Sequence, residues 1–513
     1  MTGLTTKMVL ASAAVAAALV VGAMPAAAGT PSGHAAPTHY YLDCAAGNDS
    51  NAGTSQGAAW RTLAKVSAQT FSAGQTISIK DGTTCNGTLT LLGSGTATSP
   101  ITLNSYGSGN QPKLVAANAR ATIYLHNVQG WEIHNLNVSD PGTDTTDPRA
   151  GIYVENTDYG VGSHYVFEGN TVQNVDGCDC TSPGQPGGGI VFNADGSNTN
   201  TSFNGITVAD NVVTGVSGEA IGTSSMWARR YNFPAGYGTG YGPNTNVLVQ
   251  DNVLTNLGGD AIDIQNGKNA LVQYNVVNGF GLKPTTDHAG IWSWDSDGTL
   301  MQYNVITGGN SMPHAAFAFD VDGADNNDTY QYNYTANNSG MMLICSVDGM
   351  PSANPVIRYN ISQNDKADFG GVMILACAQQ TGIAIYDNDV YAPGVSSLLT
   401  NVSENLADTP SVSNNIFVGQ SSGATITDTV GTYSNNLYQN ITSHPADPKA
   451  VTGDPKFAAP GGSQGTDGYE LDCGSPAIGA GAVVPNNGGQ DFFGNEVPAS
   501  KPNIGAFQGP CVD

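Results

Sequence analysis

Short alternating stretches of apolar and polar residues recur along the chain, each closing on an asparagine followed by further hydrophobics. The segments read IHNLNV, FEGNTV, VADNVV, VQDNVL, VQYNVV, MQYNVI, YQYNYT, IRYNIS, IYDNDV and VSNNIF. Their asparagines are Asn135, Asn170, Asn211, Asn252, Asn275, Asn304, Asn333, Asn360, Asn388 and Asn415, spaced by 23 to 41 residues. A helical repeat of that period would show a 3.6-residue rhythm and much Ala, Leu, Glu and Lys; these units instead predict strands such as Val247–Gln250 and Leu271–Gln273 between glycines and asparagines. Asparagine tolerates left-handed turns, and stacked amides can bond from coil to coil. The pattern predicts an all-β, right-handed parallel β-helix of about ten to twelve coils.

A second strand precedes each asparagine strand: GIYVEN, GGIVFN, GEAIGT, GDAIDI, AGIWSWDSDG, AAFAFDVDG, GMMLICS and GGVMILAC. Strict alternation along AFAFDVDG turns Phe317, Phe319 and Val321 inward and Ala318, Asp320 and Asp322 outward. Matching W-D-S-D-G to F-D-V-D-G places Asp295 beside Asp320 and Asp297 beside Asp322, with Trp294 inward and Asp295 outward. The longest coils owe their excess to two glycine-rich insertions, Cys178–Gly189 and Ser224–Asn244, which belong in surface loops beside a binding face. Near the front, Trp60, Leu63, Ala64 and Val66 suit a short amphipathic helix over the open first coil.

The opening Y-Y-x-D…G-T-S…W-x-T-L and the closing S-P-A-I-G-A-G are of one recognisable type. In them the chain resembles secreted bacterial right-handed parallel β-helix proteins of the pectate-lyase-like superfamily, over nearly all of its mature length. The resemblance implies the fold and a carbohydrate-active character. It does not choose among hydrolase, lyase, epimerase and binder, because one fold hosts many chemistries.

Before these repeats, Lys7, an apolar run from Met8 to Met24 and Ala26-Ala27-Ala28 make a secretory signal peptide, too short for a membrane span. The expected organisation is a signal peptide over 1–28, a flexible linker over 29–39 and one β-helix domain over 40–513, with an N-terminal cap to about 113 and a closing segment from about 450. An exported, extracellular protein places eight cysteines in an oxidising compartment. Cys44 with Cys85, and Cys473 with Cys511, are natural end staples by proximity. Cys345 and Cys377 fall on adjacent coils, as a disulfide or an inward stack, and Cys178-Asp-Cys180 lacks the second pair a zinc site needs.

Charge narrows the partners. With 16 Lys and Arg against 41 Asp and Glu the net charge is −25, which excludes nucleic acid and disfavours polyanionic glycans unless a cation intervenes. The expected partner is an extracellular glycan, met by a monomer without a membrane contact.

Carboxylates concentrate in three neighbouring coils. GDAIDIQNG, WSWDSDG and FDVDGAD supply Asp260, Asp263, Asp295, Asp297, Asp320, Asp322 and Asp325. Outward carboxylates one strand spacing apart, ~4.8 Å, suit glycosidase chemistry, where one group protonates the leaving oxygen and the other attacks or activates water. Asp263, Asp295 and Asp320 are the catalytic candidates. Glu219, Trp227, Arg229, Arg230, Asp260, His288, Asp297, His314 and Asp322 are the substrate-binding ones, with His288 and His314 as a matched pair at one rim. Aromatic rings take the apolar faces of sugars and arginines fork to hydroxyls. No metal is required, although Asp320, Asp322, Asp325 and Asp328 form a weak Ca²⁺ candidate without full EF-hand spacing. The favoured function is a glycoside hydrolase. A Ca²⁺-assisted polysaccharide lyase, using Arg229, Arg230, Lys283, His288 or His314, and a non-catalytic glycan-binding solenoid are the alternatives.

Overall fold

A computed structural model describes residues 39–143, 146–179, 186–230, 240–283, 285–310, 312–346, 350–377, 380–402, 409–461 and 465–512. The leader, nearly all of the linker, Cys180 and the loop residues 231–239 lie outside them. The chain winds through three parallel sheets of 15, 13 and 14 strands. A central coil runs Ile262–Gln265, Leu271–Gln273 and Val276–Asn278 before re-entering the thirteen-stranded sheet at His288–Trp294. Every ladder between these sheets is parallel and one apolar core runs through the stack. This is a parallel β-helix, and its thirteen-stranded sheet gives slightly more coils than the asparagine repeats suggest.

The asparagines form a buried ladder at one corner. Asn275 donates its backbone N–H and its amide to Asn304 Oδ1, each at 3.0 Å. Asn304 in turn donates to Asn333 Oδ1 at 3.0 Å and to the Val272 carbonyl at 3.0 Å. The chain of bonds continues from Asn170 to Asn436, one residue type satisfying donors on two coils at once. The left-handed residue is not the ladder asparagine but the one before it, such as Asp251, Tyr274, Tyr303 and Tyr332. At the first repeat Asn135 is that left-handed residue and Leu136 fills the ladder position, its N–H donating to Asn170 Oδ1. Asn304→Ala removes an acceptor used twice and leaves the Asn275 N–H buried without a partner. Urea unfolding is expected to show a loss of about 2–4 kcal/mol, more than a lone neutral hydrogen bond contributes.

The pocket-bearing sheet departs from strict alternation. In the central coils two successive residues both face the core: Ala220-Ile221, Ala261-Ile262, Ala318-Phe319, Met341-Met342 and Val372-Met373. Residues on either side of the pair then face out. Phe317 therefore packs outside with Ile374, and Ala318 lies inside, opposite to the expected directions, while Phe319 and Val321 are inward and Asp320 outward as expected. The short helix Leu63–Ser67 packs beside the Leu89–Leu91 strand, with Trp60, Leu63 and Val66 buried and Ala64 exposed. Disulfides join Cys44 to Cys85, Cys345 to Cys377 and Cys473 to Cys511.

Candidate active site

The chain enters the thirteen-stranded sheet at Gly188–Asp195 just after one glycine-rich insertion and leaves it at Glu219–Ser225 just before the other. Strand register puts Gly222, Asp263, Trp292, Asp320 and Leu343 in one outward row across five coils. Above this row lies a pocket of about 480 Å³. Its polar lining includes Glu219, Asp260, Asp287, His288, Asp320 and Asp322, and its apolar walls are Trp292, Trp294 and Phe317. Arg229 stacks over the Trp294 ring at 5.1 Å and lines the same space. Such a mixture of aromatic faces and converging polar groups suits a ligand of many hydroxyls.

The row carries polar atoms without partners. Asp263 accepts from Gln265 Nε2 at 2.8 Å through Oδ2, but its Oδ1 is unpaired. Trp292 Nε1 and Asp320 Oδ1 are likewise shielded from solvent without a hydrogen-bond partner. Orphaned buried polar atoms are rare in folded proteins, and three on adjacent strands mark a place built for a ligand. Glu219 joins this row from the preceding strand position. Its Oε2 fills the space a Cβ on Gly222 would occupy, only 2.2 Å from where that Cβ would stand.

Burial and crowding raise the pKa values of these carboxyls. Burial first, then the Asp260 charge, pushes Glu219 up to about 8. Burial followed by Glu219 holds Asp263 well above the usual carboxylate range, and burial followed by Asp322 does the same for Asp320. His288 is the fixed cation beneath them. Burial alone would lower its pKa, but its Nε2 faces Asp179 Oδ2 at 3.0 Å and its Nδ1 faces Asp260 Oδ1 at 3.2 Å, and together they raise it to about 10.

Several expected site residues are elsewhere. Trp292, not Asp295, pairs with Asp320, a register three residues away from the motif match, so Trp294 faces out rather than in. Asp295 ends the strand in a left-handed turn, is fully buried, and accepts from Arg230 Nε at 2.5 Å and from its backbone N–H at 2.9 Å. Asp297 pairs in register with Asn326, not Asp322, and accepts from Arg230 Nη1 at 2.6 Å. Arg230 is thus a clamp holding the loop to the coil. Trp227 is a core residue whose Nε1 donates to the Asp195 carbonyl at 3.0 Å. The two histidines are not a pair: Ala316 lies beside His288, and half-exposed His314 stands outside the pocket, 3.8 Å from Asp287.

The calcium candidates also separate. Asp320 and Asp322 face the pocket, whereas Asp325 and Asp328 point inward, where each lies within hydrogen-bond distance of Ser293 Oγ, at 2.9 Å. Among the described residues no three acidic, histidine or cysteine side chains converge to hold a metal. Asp179, Asp287 and Trp292 carry no motif of their own. Trp292 and Asp287 sit in a stretch, DHAGIWSWD, where the register alone distinguishes them from their neighbours.

Known proteins provide the remaining comparison. No known family profile matches the chain. It is similar to a lacto-N-biosidase of Bifidobacterium longum subsp. longum, at 26 % identity over 93 % of its own length, and spans about a third (36 %) of that longer protein. Its fold matches a crystal structure of the GH136 lacto-N-biosidase of Eubacterium ramulus, with a TM-score of 0.56, 19 % identity and coverage of 72 % of this chain and 67 % of that one. It also matches XylC in complex with xylose, with a TM-score of 0.54 at 11 % identity over 92 % of this chain and 98 % of that one. The chain is thus a parallel β-helix protein, similar in sequence to a lacto-N-biosidase.

Proposed function

We propose that the chain is an exported glycoside hydrolase that cleaves an oligosaccharide in the pocket above Asp263, Trp292 and Asp320. The observation that carries this reading is the carboxyl pair Asp320, near the end of the strand Ala316–Val321, and Asp322, just past it, both opening into an aromatic-walled pocket. Two residues apart in the chain, the pair is within reach of the two sides of one glycosidic bond. Asp320, held protonated by burial and by Asp322, supplies the proton to the leaving oxygen. Asp322 is the partner carboxylate that stabilises the oxocarbenium-like transition state, as nucleophile or by activating water. Glu219 at the pocket wall donates to sugar hydroxyls, Asp263 stands in the row but outside the pocket lining, and Trp292 and Trp294 take the ring faces. This chemistry requires no metal ion.

Two features weigh against the lyase reading. His288 is clamped as a cation between two carboxylates and is a poor base for a C5 proton. The pocket lining holds more carboxyl groups than cations and so offers a uronate little attraction. The three disulfides among the described residues and the expected leader sequence support an exported enzyme. Among the described residues no helix is long and apolar enough to cross a membrane.

The purified protein is to be incubated with 4-nitrophenyl glycosides of lacto-N-biose and of xylose, alongside a panel of neutral oligosaccharides and polyuronates. New reducing ends without absorbance from unsaturated sugars are expected. Unsaturated products, or no cleavage of any substrate, would sink the hydrolase reading.

A further inference from the structure

A second pocket, of about 460 Å³, opens on the outer face of the same sheet, nearer the N-terminus. Its floor is the next part of the same outward row: Tyr124 pairs with Tyr153, Tyr153 with Val191 and Val191 with Gly222. Tyr153 thus stands three strands from Asp263, about 14 Å, and five from Asp320, about 24 Å. Val191 between them is fully buried, so the two pockets do not share one floor.

The second pocket is built in detail. The Tyr124 and Tyr153 rings stack at 5.7 Å, and Glu155 accepts from both hydroxyls, at 3.1 Å from Tyr153. The Arg120 guanidinium lies over the Tyr153 ring at 4.0 Å. Its Nη2 donates to the Pro186 carbonyl at 2.7 Å, while its Nη1, shielded from solvent, has no hydrogen-bond partner. A guanidinium fixed by one nitrogen and orphaned at another is a donor held ready for something absent from the protein itself. The charges along the rim decide the class of ligand. Arg120 and Arg149 face Asp147, Glu155 and Asp195, so neither a polyanion nor a polycation is favoured, and donors alternate with acceptors beside an aromatic face.

We infer that this pocket is a second saccharide-binding site, taking a neutral, hydroxyl-rich sugar through the Tyr124 ring, Arg120 and Glu155, and anchoring the protein to a glycan at a distance from the reacting bond. The inference rests on the hydrolase reading only for its purpose; binding itself is tested without turnover.

The test uses the full chain carrying Asp320→Asn, so that cleavage cannot consume the ligand, with and without Arg120→Ala and Tyr124→Ala. Lacto-N-tetraose, xylohexaose and an array of other neutral oligosaccharides are titrated, with polygalacturonate as the anionic arm. A saturable event that survives Asp320→Asn and weakens at least tenfold in both double variants is expected. In the otherwise native chain, Arg120→Ala should leave hydrolysis of an aryl glycoside unchanged and raise KM on a long or multivalent glycan several-fold. Binding that is indifferent to both substitutions, binding of polygalacturonate alone, or no binding from any sugar overturns the second site. Absence of cleavage with this binding intact would instead count against the hydrolase and leave the site standing.

Discussion

Replacing Asp320 with Asn is expected to lower turnover by about 10²–10⁴-fold, the range that positioned proton transfer supplies, while the protein stays folded. Asp320 Oδ1 has no partner to lose, and removing a carboxyl that crowds Asp322 relieves repulsion rather than opening a cavity. The loss should be smallest on aryl glycosides whose leaving groups need no proton, which identifies an acid rather than a generally damaged site. Asp322→Asn should reduce both classes of substrate alike. Asp295→Asn is the counterpart. The native carboxylate is buried with Arg230 as its ion pair, so the change should lower stability by a few kcal/mol and affect turnover only through the loosened loop. Near-native rates in both Asp320→Asn and Asp322→Asn, measured with correctly folded protein, would remove the pair from the chemistry. A collapse of turnover in Asp295→Asn at unchanged thermal midpoint would move the chemistry to the clamp.

The contrast between Asp320 and Asp295 shows how far a sequence of this kind can be read. The repeat was legible because most coils present an asparagine at one corner, whose amide both donates and accepts from coil to coil. The carboxylate-rich coils were legible for the same reason, as a departure from a regular background. The register was not. Motif matching laid Asp295 on Asp320, but the inward pair at Gly290-Ile291 and Ala318-Phe319 fixes the strands by packing, and Trp292 falls opposite Asp320. A slip of this size, unseen in the letters, exchanges a buried ion pair for a catalytic neighbour. Trp227 and His314 failed differently: aromatic and basic residues in a loop look alike whether the loop folds under itself or over a ligand. Asp179 was hidden because its partner His288 is 109 residues away in sequence, and only the return of the chain to the same face brings them together.

The same crowded carboxyls predict that stability falls as pH rises from about 5 to about 8. Glu219 moves from 4.5 to about 8 and Asp328 from 3.8 to about 7, in both cases first because of burial. Asp263, Asp320 and Asp325 are raised as well, again with burial as the first cause. A carboxyl whose folded pKa lies above its unfolded one keeps its proton in the native state after the unfolded chain has released it. The native state therefore binds more protons across that interval, and rising pH favours unfolding. Their contribution is fully present below about pH 4 and is lost as pH rises through the folded values. His288 adds to the decline at the upper end: its folded pKa, about 10, exceeds the usual 6.5, so its stabilisation is complete below about 6.5 and lost towards 10. Groups of the opposite sign, such as Asp158, lowered to about 2 by hydrogen bonds from Thr199 and Asn198, act only at the acid end. A tenfold change in proton affinity corresponds to about 1.36 kcal/mol, so the total reaches several kcal/mol even after neighbours share their repulsion. Scanning calorimetry at one fixed rate should find the highest midpoint near about pH 4–5 and a fall of roughly 5–10 °C by about pH 8. Glu219→Gln, which cannot ionise, should flatten that slope. A midpoint that climbs between those pH values, or a slope untouched by Glu219→Gln, would show that the pocket carboxyls are ionised in the native protein and that Asp320 is not the proton donor assigned to it.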